Sequence, residues 1–175
     1  MTLVCICGPD GVGKSTLAKN LANRLGYARV TMKIPNRNCI ENLSYVYSNA
    51  LADLAHLCDI VSDRGLLTPI VYSKIFKRKQ NHDYVKKLIK KCGDDIFFIL
   101  ILPETPFRKT DDVLKNRTLY NKALKEYYKM LEYLQKLNCK YIAITEKFTK
   151  EEMEDIAVST ILKYPEYWKW INERI

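Results

Sequence analysis

Gly8-Pro9-Asp10-Gly11-Val12-Gly13-Lys14-Ser15-Thr16 spells G-x-x-x-x-G-K-[ST] directly after the apolar run Leu3-Val4-Cys5-Ile6-Cys7. That spacing is a phosphate-binding loop. Glycines at 8, 11 and 13 let the backbone curl so that successive N–H groups point into one concavity, while Lys14 reaches the outer phosphates and Ser15 offers its hydroxyl to Mg²⁺. The pattern needs a strand before it and a helix after it. Thr2 to Cys7 reads as a buried strand, and Ser15 to Leu25, with Leu17, Leu21 and Leu25 four apart, reads as a helix closed by Gly26.

Outward from the loop, strand and helix alternate. Ala28 to Ile34 reads as a second strand ending at Pro35, and Ile40, Leu43, Tyr47, Leu51 and Leu54 mark one stripe of a long helix. Asp59 to Ser62 is a short strand leading into Asp63-Arg64. Thr68-Pro69 then serves as N-cap and first position of a helix whose inner face includes Tyr72, Ile75 and Phe76. Val85, Leu88 and Ile89 predict one more short helix, and Asp95 to Leu102 a buried parallel strand ending at Pro103. Pro103 to Lys115 lacks periodicity and reads as an exposed, mobile segment.

Tyr120, Ala123, Tyr127, Leu131 and Leu134 run down one face of a further helix. Lys140 to Ile144 is the last strand, and Thr149-Lys150-Glu151-Glu152 is a capping box opening the final helix. The alternation implies an α/β fold, a five-stranded parallel sheet wrapped by helices, with ligands at the carboxyl ends of its strands.

The chain has 175 residues, 47% of them hydrophobic, which suits one domain with a full core. The longest apolar run, Ile96 to Leu102, falls far below the ~20 residues of a membrane helix, and no signal-type segment opens the sequence, so the expectation is a soluble, cytoplasmic protein. Cysteines at 5, 7, 39, 58, 92 and 139 form no C-x-x-C pair and read as reduced thiols packed in the core; His56 and His82 lack a metal-ligand partner at a recognised spacing.

A net charge of +9 points to anionic partners. Lys74, Lys77, Arg78, Lys79, Lys86, Lys87, Lys90 and Lys91 carry much of it, either as solvated helix faces or as a nucleic-acid track. Tyr164, Tyr167, Trp168 and Trp170 near the C-terminus either stack on bases or pack the tail against the domain or a partner subunit.

A phosphate loop alone fits ATPases, GTPases, helicases and small-molecule kinases. The guanine signature N-K-x-D is missing, and the length leaves no room for paired motor domains. Beyond the loop the chain resembles the thymidylate kinase family over most of its length. Asp63-Arg64-Gly65-Leu66-Leu67-Thr68-Pro69-Ile70-Val71-Tyr72 is similar to the family's D-R-Y-x-x-S-x-x-A-[YF] segment, and Ile34-Pro35-Asn36-Arg37 to its F-P-x-R segment. Tyr141-Ile142-Ala143-Ile144-Thr145, with the helix from Thr149, resembles its final strand, the I-D-A-S loop beside the adenine and its last helix.

The resemblance implies a P-loop kinase with a short lid at about residues 103–117, moving the γ-phosphoryl of ATP onto a deoxynucleoside monophosphate, most simply dTMP, with Mg²⁺. Gly8 to Thr16 would bind ATP, Ser15 the metal, and Arg64 with Arg37 the acceptor phosphate. Asp10 would contact the acceptor sugar hydroxyl, Tyr72 would lie by the base, and Asp63 would orient a metal-bound water or the acceptor. Arg64 also reads as a surface ion-pair residue and Tyr72 as a core aromatic.

Some family members carry a catalytic arginine at the position of Gly11; others supply it from the lid, which makes Arg108 the leading lid arginine, with Arg117 and Lys109 as substitutes. Gly65 replaces the family's usual tyrosine and removes a ring that helps shape the nucleoside pocket. The family also implies a homodimer. Two other functions stay open. One is a deoxynucleoside or polynucleotide 5′-kinase; the other is a non-catalytic nucleotide-dependent module that binds nucleic acid.

Overall fold

In the computed structural model, residues 2–31, 40–78, 82–104, 117–145 and 148–172 are described. Strands β1 (Leu3–Cys7), β2 (Ala28–Thr31), β3 (Ile60–Asp63), β4 (Ile96–Ile101) and β5 (Lys140–Ile144) form one parallel sheet in the order β2-β3-β1-β4-β5. Helices α1 (Lys14–Leu25), α2 (Ile40–Leu54), α3 (Leu67–Ile75), α4 (His82–Cys92), α5 (Arg117–Lys136) and α6 (Lys150–Asn172) connect and follow the strands. The α/β expectation holds.

Right-handed crossovers place α1 and α6 on one face and α2 to α5 on the other. The packing agrees, α1 lying against α6, α3 against α5 and α2 against α4. Both faces of β1, β3 and β4 are therefore covered, and every residue of these three strands is buried. The outer strands β2 and β5 are largely exposed or half-buried, which suits Arg29 and Lys140 in them.

From central β1 the chain passes first to β2 and β3 on one side, then to β4 and β5 on the other. The crevice beyond the carboxyl end of β1 is the switch point of the sheet, where α/β proteins bind ligands.

Several boundaries differ from the sequence reading. Strand β3 runs to Asp63, which pairs in register with Ile6, so Asp63 ends the strand rather than following it. Helix α3 starts at Leu67, not after a Thr68 cap. The Thr68 N–H reaches the Gly65 carbonyl at 3.1 Å and closes a turn early, leaving Pro69 in the first turn, where its missing N–H costs nothing. Leu67 to Ser73 are all buried, so the inner face is wider than Tyr72, Ile75 and Phe76, of which the last two are half-buried.

On α2 the apolar stripe drifts. Leu51 and Ala55 are buried, whereas Leu54 is 37% exposed. On α5, Met130 takes the buried place expected of Leu131. Val85, Leu88 and Ile89 are buried on α4 as expected. The thiols of Cys5, Cys7 and Cys92 are buried, but Cys58 is exposed and Cys139 half-exposed. Among the basic residues, Lys77 and Arg78 follow α3 rather than lying on it.

Candidate phosphate-loop site

The loop from Gly8 to Gly13 bridges β1 and α1. Gly8, Gly11 and Gly13 have φ of 148°, 84° and 83°, a region that L side chains rarely adopt. A Cβ on Gly8 would also collide with the Ile101 carbonyl at the end of β4. Val12 is fully buried and anchors the loop to the core. Helix α1 has no side-chain cap, so its first N–H groups face the loop's concavity.

Lys14 folds back on the loop. Its Nζ donates to the Pro9 carbonyl and lies 3.5 Å from Asp10 Oδ1. Burial pushes its pKa down to about 8, against the opposing pull of Asp10. Ser15 is exposed beside it, with Thr16 half-buried.

Asp10 is 3% exposed, and its Oδ1 lies 3.2 Å from Arg64 Nη2. It thus stands between two cations. Neither carboxylate oxygen has an aligned hydrogen bond, so charge rather than geometry holds this cluster together. Burial works against the charge on Arg64, but Asp10, together with Tyr72, Tyr127 and Asp63, outweighs it and raises its pKa. The arginine is not a surface ion-pair residue.

Arg64 has φ 76°, a left-handed conformation costing roughly 1–3 kcal/mol for a non-glycine residue. Asp63 is 1% exposed, and its Oδ1 has no hydrogen-bond partner. Tyr72, on α3, is 3% exposed with a hydroxyl equally unpartnered. Burial and then the neighbouring Tyr127 and Asp10 raise the Tyr72 pKa well above its ordinary value. Tyr72 is thus part of the core and also borders the charged cluster.

A cavity of about 380 Å³ extends from the loop across Lys14, Ser15, Thr16 and Arg64 to Asn20 of α1 and to Phe148, Thr149, Lys150 and Met153. The capping box at its far wall is formed as expected. The Thr149 N–H donates to Glu152 Oε2 at 2.7 Å, and the Glu152 N–H to Thr149 Oγ1 at 3.2 Å.

Arg37, Arg108 and Lys109 lie outside the described residues, as do residues 105–116 of the expected lid. Arg117 is the exposed first residue of α5. Sequence reasoning missed the part played by Tyr127. It is fully buried on α5, and its hydroxyl donates to Thr68 Oγ1 at 3.4 Å. Phe148 also went unmarked, because a lone aromatic before a helix cap carries no local signal.

The role expected of position 65 changes too. A Cβ there would overlap Cys5 Cβ, so the residue faces strand β1, not the cleft. The ring missing from Gly65 is therefore not a ring missing from the pocket.

A parallel sheet with a phosphate loop at the carboxyl end of its central strand defines an α/β P-loop fold of three layers. Residues 4–99, more than half of the chain, match the ATPase family associated with various cellular activities (AAA), and the chain belongs to that family. The match runs from β1 through most of β4 and so takes in the loop and Asp63-Arg64. No curated protein matches the chain significantly.

Solved structures similar to it are mainly kinases. The YorR protein from Bacillus subtilis, in complex with phosphorylated GDP, aligns at TM-score 0.63 and 19% identity, over 94% of this chain and 98% of the other. Deoxyadenosine kinase from M. mycoides with bound dCTP gives 0.64 and 13%, over 93% and 100%. Thymidylate kinase from Candida albicans gives 0.62 and 15%, over 94% and 92%. These likenesses carry the P-loop kinase fold; they do not single out thymidylate kinases. No helix among the described residues is long and apolar enough to cross a membrane.

Proposed function

We propose that the protein is a Mg²⁺- and ATP-dependent kinase that phosphorylates a deoxynucleoside monophosphate, with dTMP as the first candidate acceptor. The observation that carries this reading is Arg64, whose guanidinium borders the same cavity as Lys14 and is 3.2 Å from loop residue Asp10. Two cations on one cavity suit two phosphate-bearing ligands. Lys14 and the loop amides hold the donor phosphates, and Arg64 takes the acceptor phosphate by paired N–H donors. Arg37 and Arg108 keep the roles that the resemblance gave them.

The donor set fits a magnesium ion. Lys14 and Arg64 are already balanced by Asp10 and Asp63, so phosphates entering the site bring charge that a divalent cation offsets. The Ser15 hydroxyl, which lines the cavity, would supply a hard oxygen donor of the kind Mg²⁺ prefers, and the unpartnered Asp63 oxygen, buried outside that lining, would act through water. A magnesium ion held there would supply neutralisation of the charge that develops on the transferred phosphoryl. The chain's own residues position the donor and acceptor, and Asp10, which lines the same cavity, accepts a hydrogen bond from an acceptor hydroxyl in this reading.

One observation favours a second reading. The buried, unpartnered Asp63 oxygen also suits a base for a neutral hydroxyl, as in a deoxynucleoside or polynucleotide 5′-kinase. An acceptor panel separates the two: Mg²⁺-ATP with dTMP, dUMP, dGMP, dAMP, dCMP, thymidine or a 5′-hydroxyl oligonucleotide, each product identified by mass. Diphosphate from dTMP supports the first reading. Phosphorylation of thymidine or the oligonucleotide alone moves the assignment to the second, and ATP binding with no product on any acceptor favours a non-catalytic module.

A further inference from the structure

Side chains alternate between the faces of β3, so a strand continuing past Asp63 would send Arg64 to the same face as Ser62. That face belongs to α2, because the Ser62 hydroxyl is hydrogen-bonded to the Tyr47 hydroxyl at 2.9 Å. The left-handed backbone at Arg64 redirects the side chain to Asp10.

Its peptide groups are pinned from both ends. The Arg64 N–H donates to the Ile6 carbonyl at 3.1 Å, and the Arg64 carbonyl lies 3.4 Å from the hydroxyls of both Tyr47 and Ser62, accepting from whichever of the pair does not donate to the other. Ser62 is fully buried, and Tyr47 is half-buried on α2. A backbone conformation this unfavourable for arginine persists only where its surroundings over-determine it.

We propose that the hydroxyl pair of Tyr47 and Ser62 is a positioning device that holds the Arg64 backbone in its left-handed conformation and so aims the guanidinium at an acceptor phosphate. This rests on the reading of Arg64 as the acceptor-phosphate ligand. Tyr47 and Ser62 touch no substrate; they act through Arg64. Removing either hydroxyl therefore weakens acceptor use and leaves the donor side, built on Lys14 and the loop, as it was.

The test compares the full chain with Tyr47→Phe, Ser62→Ala and the double variant. Two quantities are read. The first is the ¹⁵N guanidinium resonance of Arg64, assigned by its loss in Arg64→Lys. The second is the KM for dTMP and for ATP. We expect the Arg64 resonance to move to the averaged position of exposed arginines in each variant. The KM for dTMP should rise about tenfold, with that for ATP within about twofold.

An unmoved Arg64 resonance overturns the positioning role, as does an unmoved dTMP KM in an active enzyme. A purely structural role would instead move both KM values together, and that also overturns it. If the resonance shifts while the wild-type protein phosphorylates no nucleotide, the acceptor reading falls and the positioning role stands.

Discussion

Arg64 at the end of β3 and Asp10 in the phosphate loop meet at 3.2 Å, with Lys14 3.5 Å from the same carboxylate oxygen. The contact ties the central strand's loop to the next strand over and puts a guanidinium beside the phosphate cradle. Because Asp10 is almost wholly buried, its field is poorly screened and the three groups behave as one unit. A ligand phosphate entering this unit must compete with Asp10 for its cations.

Arg64→Ala removes the acceptor-side cation. We expect kcat/KM for the acceptor nucleotide to fall by about 10²–10³-fold, the scale of losing one preorganised donor, with ATP binding retained. Arg64→Lys should recover only part of it, since an ammonium cannot make the paired contact. Steady-state kinetics on protein verified as folded by circular dichroism decides the matter. Unchanged turnover would remove Arg64 from the site.

Gly65 gives a prediction about packing. A methyl group at this position overlaps Cys5 Cβ on β1, and both positions are buried, Cys5 in the sheet and Gly65 in the connection between β3 and α3. Gly65→Ala should cost about 1–3 kcal/mol, read by denaturant unfolding. Cys5→Ala in the same chain should give little rescue, because the clash begins at Cβ and alanine keeps it. Gly65→Tyr, which introduces the tyrosine usual in thymidylate kinases, should lower the midpoint further rather than widen acceptor choice. A Gly65→Tyr protein of wild-type stability would show that the chain can swing away from β1.

How much of this was legible follows from how local each signal is. The loop, α1 with its Gly26 stop and the Thr149–Glu152 box are set by short-range glycine and capping chemistry, and the sequence carries that chemistry openly. The five-stranded parallel sheet also followed from the alternation, whereas its order β2-β3-β1-β4-β5 did not. Tyr47 and Tyr127 were read by their rings as helix-stripe residues, which hid the fact that their hydroxyls serve or border the site. The left-handed conformation of Arg64 has no sequence signature, because arginine is a residue type that normally avoids it. It arises from hydroxyls contributed by α2 and β3, a tertiary cause. The lid register lies in residues outside those described.

The capping box forms one wall of the cavity, which makes it testable through both stability and ligand binding. Thr149→Ala should cost about 1 kcal/mol in stability. The carboxylate of Glu152 is held below its ordinary pKa by the Thr149 N–H and hydroxyl. A group depressed in the folded state stabilises above its unfolded value, so this contribution disappears as pH falls through the acidic range. Wild-type and Glu152→Gln melting curves should therefore converge at acid pH. Curves that stay parallel down to that range would detach Glu152 from the cap.

Lys14 makes the sharpest prediction about pH. Its value of about 8 lies below the ordinary 10.5 because burial disfavours the charged form. Below about pH 8 both folded and unfolded chains carry the proton; between there and the ordinary value only the unfolded chain does. The unfolded state then binds more protons, so Lys14's contribution to stability rises with pH across that window. Ligand binding runs the other way. Donor phosphates favour the ammonium, so ATP affinity should be level below about pH 8 and fall above it by up to about tenfold per unit. At about pH 9 binding should be accompanied by proton uptake, seen in calorimetry as a heat that changes with the buffer's ionisation enthalpy. Lys14→Met should bind weakly at every pH without that uptake. Binding by the wild-type protein at about pH 9 with no buffer-dependent heat would mean that Lys14 is charged in the free loop and that burial does not set its pKa.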